Sequence, residues 1–362
     1  MVDLAELGWN IALDSCFRQM HRAELVPARV TGKTRNSFPV IGEFGEKIAY
    51  ISNRYFEKEV RDVKYPVVGD WVGINTGNNT IEAVLPRKSK ISRQVSGGRG
   101  RYSGSQTVEQ VVAANIDIVF ITGSLDGSRS LNPGKIERYL ALARASEASP
   151  VIILNKMDLC ADLPEQINVV KQIAPAVPVL AISATWAAGL ERLKQYLIKG
   201  STAVFLGSSG VGKSSIINAL LGAERLKVSE VRETDFKGRH TTVGQELLML
   251  PGGGNVIDTP GMRELQLWGD EEDLAGVFPD IDLLAQGCRF RDCTHRSEPG
   301  CAVKQAIESG TLGIRRLENF RKLEREVQHL EARKNDFSKL EEKQKWKKIS
   351  QWQKNFRKQK PE

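Results

Sequence analysis

Five separated segments carry residues whose types and spacing can bind a nucleotide, and a sixth can hold a metal ion. Gly207-Ser208-Ser209-Gly210-Val211-Gly212-Lys213-Ser214 has the GxxxxGKS spacing, in which a glycine-rich backbone curls around a di- or triphosphate and turns its N–H groups toward the anion. Lys213 then reaches the β- and γ-phosphates, Ser214 offers its hydroxyl to Mg²⁺, and Ser215, next in the helix, is expected among the nucleotide-binding residues. Asn155-Lys156-Met157-Asp158 is an NKxD sequence whose carboxylate can accept hydrogen bonds from N1 and N2 of guanine, a donor pair that adenine lacks. Asp158 is therefore the specificity element, with Asn155 a structural and O6-side partner. Ser183-Ala184-Thr185 follows an apolar stretch and offers the Ala184 N–H to guanine O6.

Asp258-Thr259-Pro260-Gly261 is a DxxG arrangement, in which Asp258 holds Mg²⁺ through water and the Gly261 N–H senses a γ-phosphate. Before it, Lys237-Gly238-Arg239-His240-Thr241-Thr242 is a polar loop able to supply a threonine that closes over Mg²⁺. Either Thr241 or Thr242 can do so, and Thr242 is preferred. Each short match alone arises by chance; together they specify a guanine nucleotide. A P-loop kinase is a distant alternative, since it would need ATP affinity to survive loss of Asp158.

Cys288, Cys293, His295 and Cys301 form a CxxxxCxHxxxxxC cluster. Three thiolates and one imidazole are a complete tetrahedral Zn²⁺ set, and four protein ligands leave no open position, so such a site is structural. The chain's other two cysteines, Cys16 and Cys160, are isolated, which argues against a disulfide framework.

The elements that must position these groups can be read from the apolar runs. Ala203–Leu206 before the phosphate loop and Ser215–Leu221 after it read as strand and helix. From Ile116 to Lys199 apolar strand-like runs alternate with helical stretches, which predicts a mostly parallel sheet covered by helices, with ligands at the C-terminal strand ends. Ahead of that, short β-type segments between Glu24 and Arg93 predict a small closed barrel of the OB type. Arg29, Lys33, Arg35, Arg87, Lys88, Lys90 and Arg93 fit an RNA-binding use of the barrel, although a plain structural barrel with a basic surface fits almost as well. The expected organisation is a helical leader (1–23), the barrel (24–96), a Gly/Arg linker (97–106), the nucleotide domain (107–269), a zinc-knuckle helical domain (270–325) and a charged helical extension with a basic tail (326–362).

The chain has 362 residues, 41% hydrophobic and 27% charged, too long for one average core and without an apolar run that spans a membrane. Its first 22 residues have no basic n-region, so a cytoplasmic location is expected. The net charge is +8, and residues 343–362 alone hold eight Lys/Arg against one acidic residue. Trp346, Trp352 and Phe356 lie among those charges, a mixture that suits RNA better than a solvated tail.

The order of the nucleotide motifs is unusual. A Ras-like enzyme presents phosphate loop, switch threonine, DxxG, NKxD and SAx in that order, whereas here NKxD and SAx come first. The domain reads as circularly permuted, which is tolerable because domain termini lie at the surface and often close together.

The permuted order NKMD, SAT, GSSGVGKS, HTT and DTPG, with an N-terminal barrel and the Cys288/Cys293/His295/Cys301 knuckle, resembles the ribosome small-subunit-dependent GTPase A family (RsgA, also called YjeQ) over about residues 24–325. The resemblance implies an OB-fold, a permuted GTPase domain and a zinc domain in a GTP hydrolase. It implies action in late maturation of the bacterial 30S subunit, with 16S rRNA as partner and turnover stimulated by the ribosome; the protein is expected to be a cytoplasmic monomer. A second reading of the same features is a GTP-gated rRNA-binding factor in which hydrolysis only times release. The residue after DxxG is Met262, where Ras-like enzymes carry the glutamine that orients water, so intrinsic hydrolysis is expected to be slow. The resemblance points to His240 as the replacement, and an imidazole there can reach the γ-phosphate side when the loop closes. Removing residues 343–362 should weaken RNA binding and flatten its salt dependence by about 0.7 to 0.9 in log–log slope per lost phosphate contact, as read by titrations over a range of salt; an unchanged slope would assign the tail to solvent.

Overall fold

The amino-terminal strands close around a core of small and large apolar side chains. The computed structural model describes residues 2–34, 36–52, 65–96, 107–127, 131–226, 245–258 and 271–332. Strands β1 (Val26–Val30), β2 (Phe38–Gly42), β3 (Gly45–Ile51), β4 (Trp71–Asn75) and β5 (Thr80–Val84) close into a barrel in the order β1-β2-β3-β5-β4. Only the β3–β5 ladder is parallel. Ala28, Val30, Phe38, Val40, Ala49, Val72, Ile74 and Ile81 fill it. This is the OB-type barrel expected from the sequence.

The leader is tied down. Asn10 caps helix α1 (Ile11–Arg18) by accepting from the Leu13 N–H at 3.0 Å. Leu4 and Leu7 pack with Ile41, Trp71 and Leu85 of the barrel, and Trp9 stands edge-on to Trp71 with ring centroids 4.8 Å apart.

The basic residues of the barrel divide differently from the RNA-binding set proposed on sequence. Arg29 is 1% exposed, and its guanidinium donates to three backbone carbonyls: Leu7 of the leader, Gly69 of the barrel and Asn115 beyond it. Burial pulls its pKa down to about 10, opposed by Asp117 and Asp70, so it stays charged at neutral pH. Arg87 is held in a bidentate pair with the fully buried Asp70 at 2.7 and 2.8 Å, and Lys88 pairs with Asp117 at 3.1 Å. An arginine whose donors all face carbonyls of a closed interior cannot also grip phosphates. Arg29 is therefore a structural residue, and Arg87 is largely so; Lys33 and Arg93 are exposed, while Arg35 lies outside the described residues.

Strands β6 (Lys90–Ser96) and β7 (Thr107–Ala114) pair in a two-stranded sheet on either side of the segment read as a linker, residues 97–106, which lies outside the described residues. Next come β8 (Ile118–Ser124), α2 (Pro133–Ala145), β9 (Ser149–Asn155), α3 (Leu163–Ile173), β10 (Val179–Ala181), α4 (Leu190–Lys194), β11 (Thr202–Leu206), α5 (Lys213–Leu221), β12 (Glu246–Met249) and β13 (Asn255–Asp258). They build a six-stranded sheet in the order β10-β9-β8-β11-β13-β12, parallel except for the edge strand β12. β8 and β11 are buried along their whole length, as befits central strands covered on both faces. β12 is capped by the barrel, because Leu247 N–H donates to Thr31 C=O at 2.7 Å and Glu246 bridges to Gly32.

The chain divides into two compact units, 1–92 with 111–265 and 93–110 with 266–362. The second holds α6 (Glu271–Ala275), α7 (Pro279–Ala285), the cysteine cluster, α8 (Ala302–Glu308) and a helix over 314–332. Phe278 packs edge-on against Phe320 at 5.4 Å and beneath the Arg316 guanidinium, which grips Asp280 through two bonds of 2.7 and 2.8 Å. The basic tail lies outside the described residues. Replacing Arg29 with Leu should lower stability by about 3 kcal/mol, because three carbonyls, two buried and one partly so, lose their donor; urea unfolding measures it, and a change within about 0.5 kcal/mol would return Arg29 to the surface set.

Candidate functional site

Four of the chemistry-bearing segments meet at one end of the parallel sheet because each follows the C-terminus of a strand. β8 and β13 flank β11 in parallel register, so Asp258 at the end of β13 lies beside the start of the phosphate loop. β9 and β10 deliver Asn155–Asp158 and Ser183–Ala184 to the same edge. The order of strands in space thus undoes the permuted order of motifs in the chain.

The loop itself is shaped by what its glycines allow. A Cβ on Gly207 would lie 2.5 Å from the Thr122 carbonyl, and one on Gly212, at φ +94°, would lie 2.2 Å from Asn155 Nδ2. Val211 is fully buried beneath the loop, while Ser209 and Gly210 are exposed at its crest. Helix α5 begins after Gly212 with no side-chain cap, which leaves its first-turn N–H groups directed out of the helix end where an anion binds well. Lys213 folds back across the loop, its ammonium donating to the Gly207 and Ser208 carbonyls at 2.8 Å each. The Ser208 hydroxyl accepts from Lys135 of α2 at 3.0 Å and shares a hydrogen bond with Tyr139. Ser214 and Ser215 follow in the first turn of α5, half-buried.

Asn155 is 2% exposed, and both ends of its amide are engaged. Nδ2 donates to Val211 C=O at 2.9 Å and Oδ1 accepts from Ala184 N–H at 3.1 Å. Of the structural and O6-side roles expected for it, its contacts describe the structural one, and the Ala184 N–H expected at guanine O6 already has Asn155 as a partner. Lys156 takes a left-handed backbone at φ +62°, and its ammonium pairs with Asp126 at 2.6 Å. Met157 N–H bonds to Ile182 C=O at 3.1 Å, which leaves Asp158 half-buried at the rim. Ser183, fully buried, closes its own loop by a bridge to Ala188 and accepts from Trp186 N–H at 3.2 Å. Asp126, Lys135 and Tyr139 carry no motif and escape sequence reading, since only the fold brings them to Lys156 and Ser208. His240, Thr241, Thr242, Gly261 and Met262 lie outside the described residues.

In the second unit, the ligand atoms of Cys288, Cys293, His295 and Cys301 all lie within 4.8 Å of one another. His295 presents Nδ1, 3.6 Å from Cys288 Sγ and 3.5 Å from Cys301 Sγ, and the two sulfurs are 3.9 Å apart. A tetrahedron with ordinary zinc bond lengths has S···N edges of about 3.6 Å and S···S edges of about 3.8 Å. The donor set and its spacing fit zinc. Glu298, which the sequence does not single out, shapes the loop between ligands by accepting from the Thr294, Arg296 and Ser297 N–H groups at 2.8–3.0 Å and from the Thr294 hydroxyl. The Thr294 hydroxyl bond, aided by the backbone N–H groups, pulls its pKa down to about 2.

Comparison with known proteins agrees with this geometry. The RsgA GTPase family model matches residues 84–268. A small ribosomal subunit biogenesis GTPase RsgA of Opitutus terrae is 41% identical, over 97% of this chain and 96% of its own. The chain belongs to the RsgA GTPase family. A second RsgA relative, from Syntrophotalea carbinolica, is 42% identical over 90% of each chain. Among solved structures, YjeQ from Thermotoga maritima superposes with a TM-score of 0.60 at 30% identity, covering 84% of this chain and 98% of that one. YloQ, described as a circularly permuted GTPase, shares the fold with a TM-score of 0.57 at 23% identity, over 85% of this chain and 97% of its own. The RsgA fold thus accounts for the permuted motif order, the barrel and the cysteine cluster together.

Metal analysis of the purified protein should find about one zinc per chain, and a strong chelator should lower the unfolding temperature of the second unit. Cys301→Ser, which removes a buried ligand, should lose the zinc. Full zinc content in that variant would place the metal elsewhere.

Proposed function

We infer that this chain is a GTP hydrolase that binds the small ribosomal subunit and acts in its late maturation. The observation that carries the reading is the convergence of Asn155, Lys156, Asp158, Ala184, the phosphate loop and Asp258 at one end of the sheet in a member of the RsgA GTPase family. Relatives across most of its length are named small ribosomal subunit biogenesis GTPases. Among the described residues no helix is long and apolar enough to cross a membrane; on the reading proposed here the protein acts as a cytoplasmic monomer.

Each residue has a role on this reading. Asp158 reads the guanine edge, Lys156 flanks the base, and the N–H groups of Gly207–Lys213 with the Lys213 ammonium hold the phosphates. Ser214 and Asp258 are hard oxygen donors that suit Mg²⁺, joined by Thr242 from the preceding loop. When bound, that ion neutralises charge between the β- and γ-phosphates. Gly261 N–H senses the γ-phosphate. His240 orients the attacking water, because Met262 cannot, and the 30S particle completes the site by setting that imidazole at the γ-phosphate. Zinc holds the second unit in shape, and 16S rRNA is the surface gripped in the GTP state and released after hydrolysis.

GTP turnover should be slow for the protein alone and rise at least about tenfold with 30S subunits. His240→Ala should abolish most of that rise while the variant stays on 30S particles in sedimentation. No stimulation of the unaltered protein would remove the ribosome-dependent reading. Normal release of the histidine variant would instead separate hydrolysis from dissociation.

A further inference from the structure

Lys135 stands where the helix it belongs to gives no reason for a cation. It is the third residue of α2, after the Asn132 cap and Pro133, and the first turn of this helix holds no acidic residue. The positive end of the macrodipole lies there, so a carboxylate would be stabilising and an ammonium is not. Among the described residues Lys135 forms no ion pair; its side chain reaches 73 residues along the chain to the Ser208 hydroxyl, 3.0 Å away. The Ser208 carbonyl accepts the ammonium of Lys213 at 2.8 Å. Two ammonium groups are therefore held by one neutral serine of the phosphate loop, one through its hydroxyl and one through its carbonyl, where an anion would find both.

Tyr139, one turn further along α2 and buried, shares a hydrogen bond with the same Ser208 and fixes the side on which the helix meets the loop. The guanine end of the site is marked by Asp158. Lys213 is the residue that meets the β- and γ-phosphates, so on the nucleotide reading an ammonium anchored to the same serine faces the phosphates and not the base.

We propose that Lys135 is a further phosphate-binding residue, a cation supplied in cis by α2 that favours the triphosphate over the diphosphate. The inference rests on the guanine-nucleotide reading of the site. It adds one charge that no nucleotide motif contains, and it places the distinction between GTP and GDP partly on a helix outside the switch loops. An ammonium that gains a partner only when the γ-phosphate is present contributes to the affinity of one nucleotide state and not the other, which is what a nucleotide-dependent change of state requires.

The test is titration of the full-length, zinc-loaded protein with fluorescent GDP and a fluorescent non-hydrolysable GTP analogue. Lys135→Gln should weaken the GTP analogue about tenfold, the loss expected of one charge-assisted contact, and GDP less than about twofold. Lys135→Arg should restore most of the difference. Equal losses for both nucleotides would make Lys135 a prop for the loop and overturn the proposal, as would no loss for either. Asp158→Ala, measured beside them, should weaken both nucleotides; failure of that control would fault the guanine site itself and leave the Lys135 result to be judged on the GTP-to-GDP ratio alone.

Discussion

The side-chain amide of Asn155 joins three loops that arrive from three different strands. Its nitrogen holds Val211 of the phosphate loop and its oxygen holds Ala184 beyond β10, while its own backbone ends β9. The first bond is buried and the second partly so, and an unpartnered carbonyl or N–H in a buried place costs about 1 to 3 kcal/mol. The same amide explains why Gly212 has no side chain, since a Cβ there would fall on Asn155 Nδ2. Base recognition and phosphate binding are thereby linked through one residue. A shift of the phosphate loop pulls on the segment carrying Asp158.

A different residue does comparable work at the far side of the first unit. Arg29 connects leader, barrel and the turn before β8 by three carbonyl contacts, and the capping of β12 by Thr31 and Gly32 adds a backbone link between barrel and sheet. The barrel is thus bonded to the edge strand that pairs with β13, whose last residue is Asp258. Barrel and nucleotide site share a framework.

How much of this could be read from residues depends on how local each determinant is. The phosphate loop, NKxD, DxxG and the Cys₃His set are legible because their chemistry is fixed by spacing within four to fourteen residues, and the permutation by their order alone. The barrel and the parallel sheet follow from periodicity. Arg29 is the opposite case. In Val-Pro-Ala-Arg-Val it reads as a surface charge, and only contacts 22, 40 and 86 residues away make it an internal strut. Asn155 is intermediate, since its motif marks it as important but its partner 56 residues on decides which role it fills. Helicity of the leader is local and legible, whereas its attachment is not.

That attachment bears on how the chain is made. Lys199 pairs with Asp3 at 2.7 Å and with Glu6 at 3.6 Å, and Asn255 Nδ2 donates to the Glu6 carbonyl at 2.9 Å across 249 positions. The sheet-side partners of Asp3 and Glu6 therefore leave the ribosome that synthesises the chain well after the barrel, Asn255 last of them. At about 5 to 20 residues per second, roughly 12 to 50 seconds separate the emergence of Glu6 from that of Asn255. Over that interval the barrel can close and bond to Asn115 and Asp117 through Arg29 and Lys88, and Asp3 and Glu6 can meet Lys199, but the Glu6 carbonyl gains its Asn255 partner only when the strand that ends in Asp258 has been made.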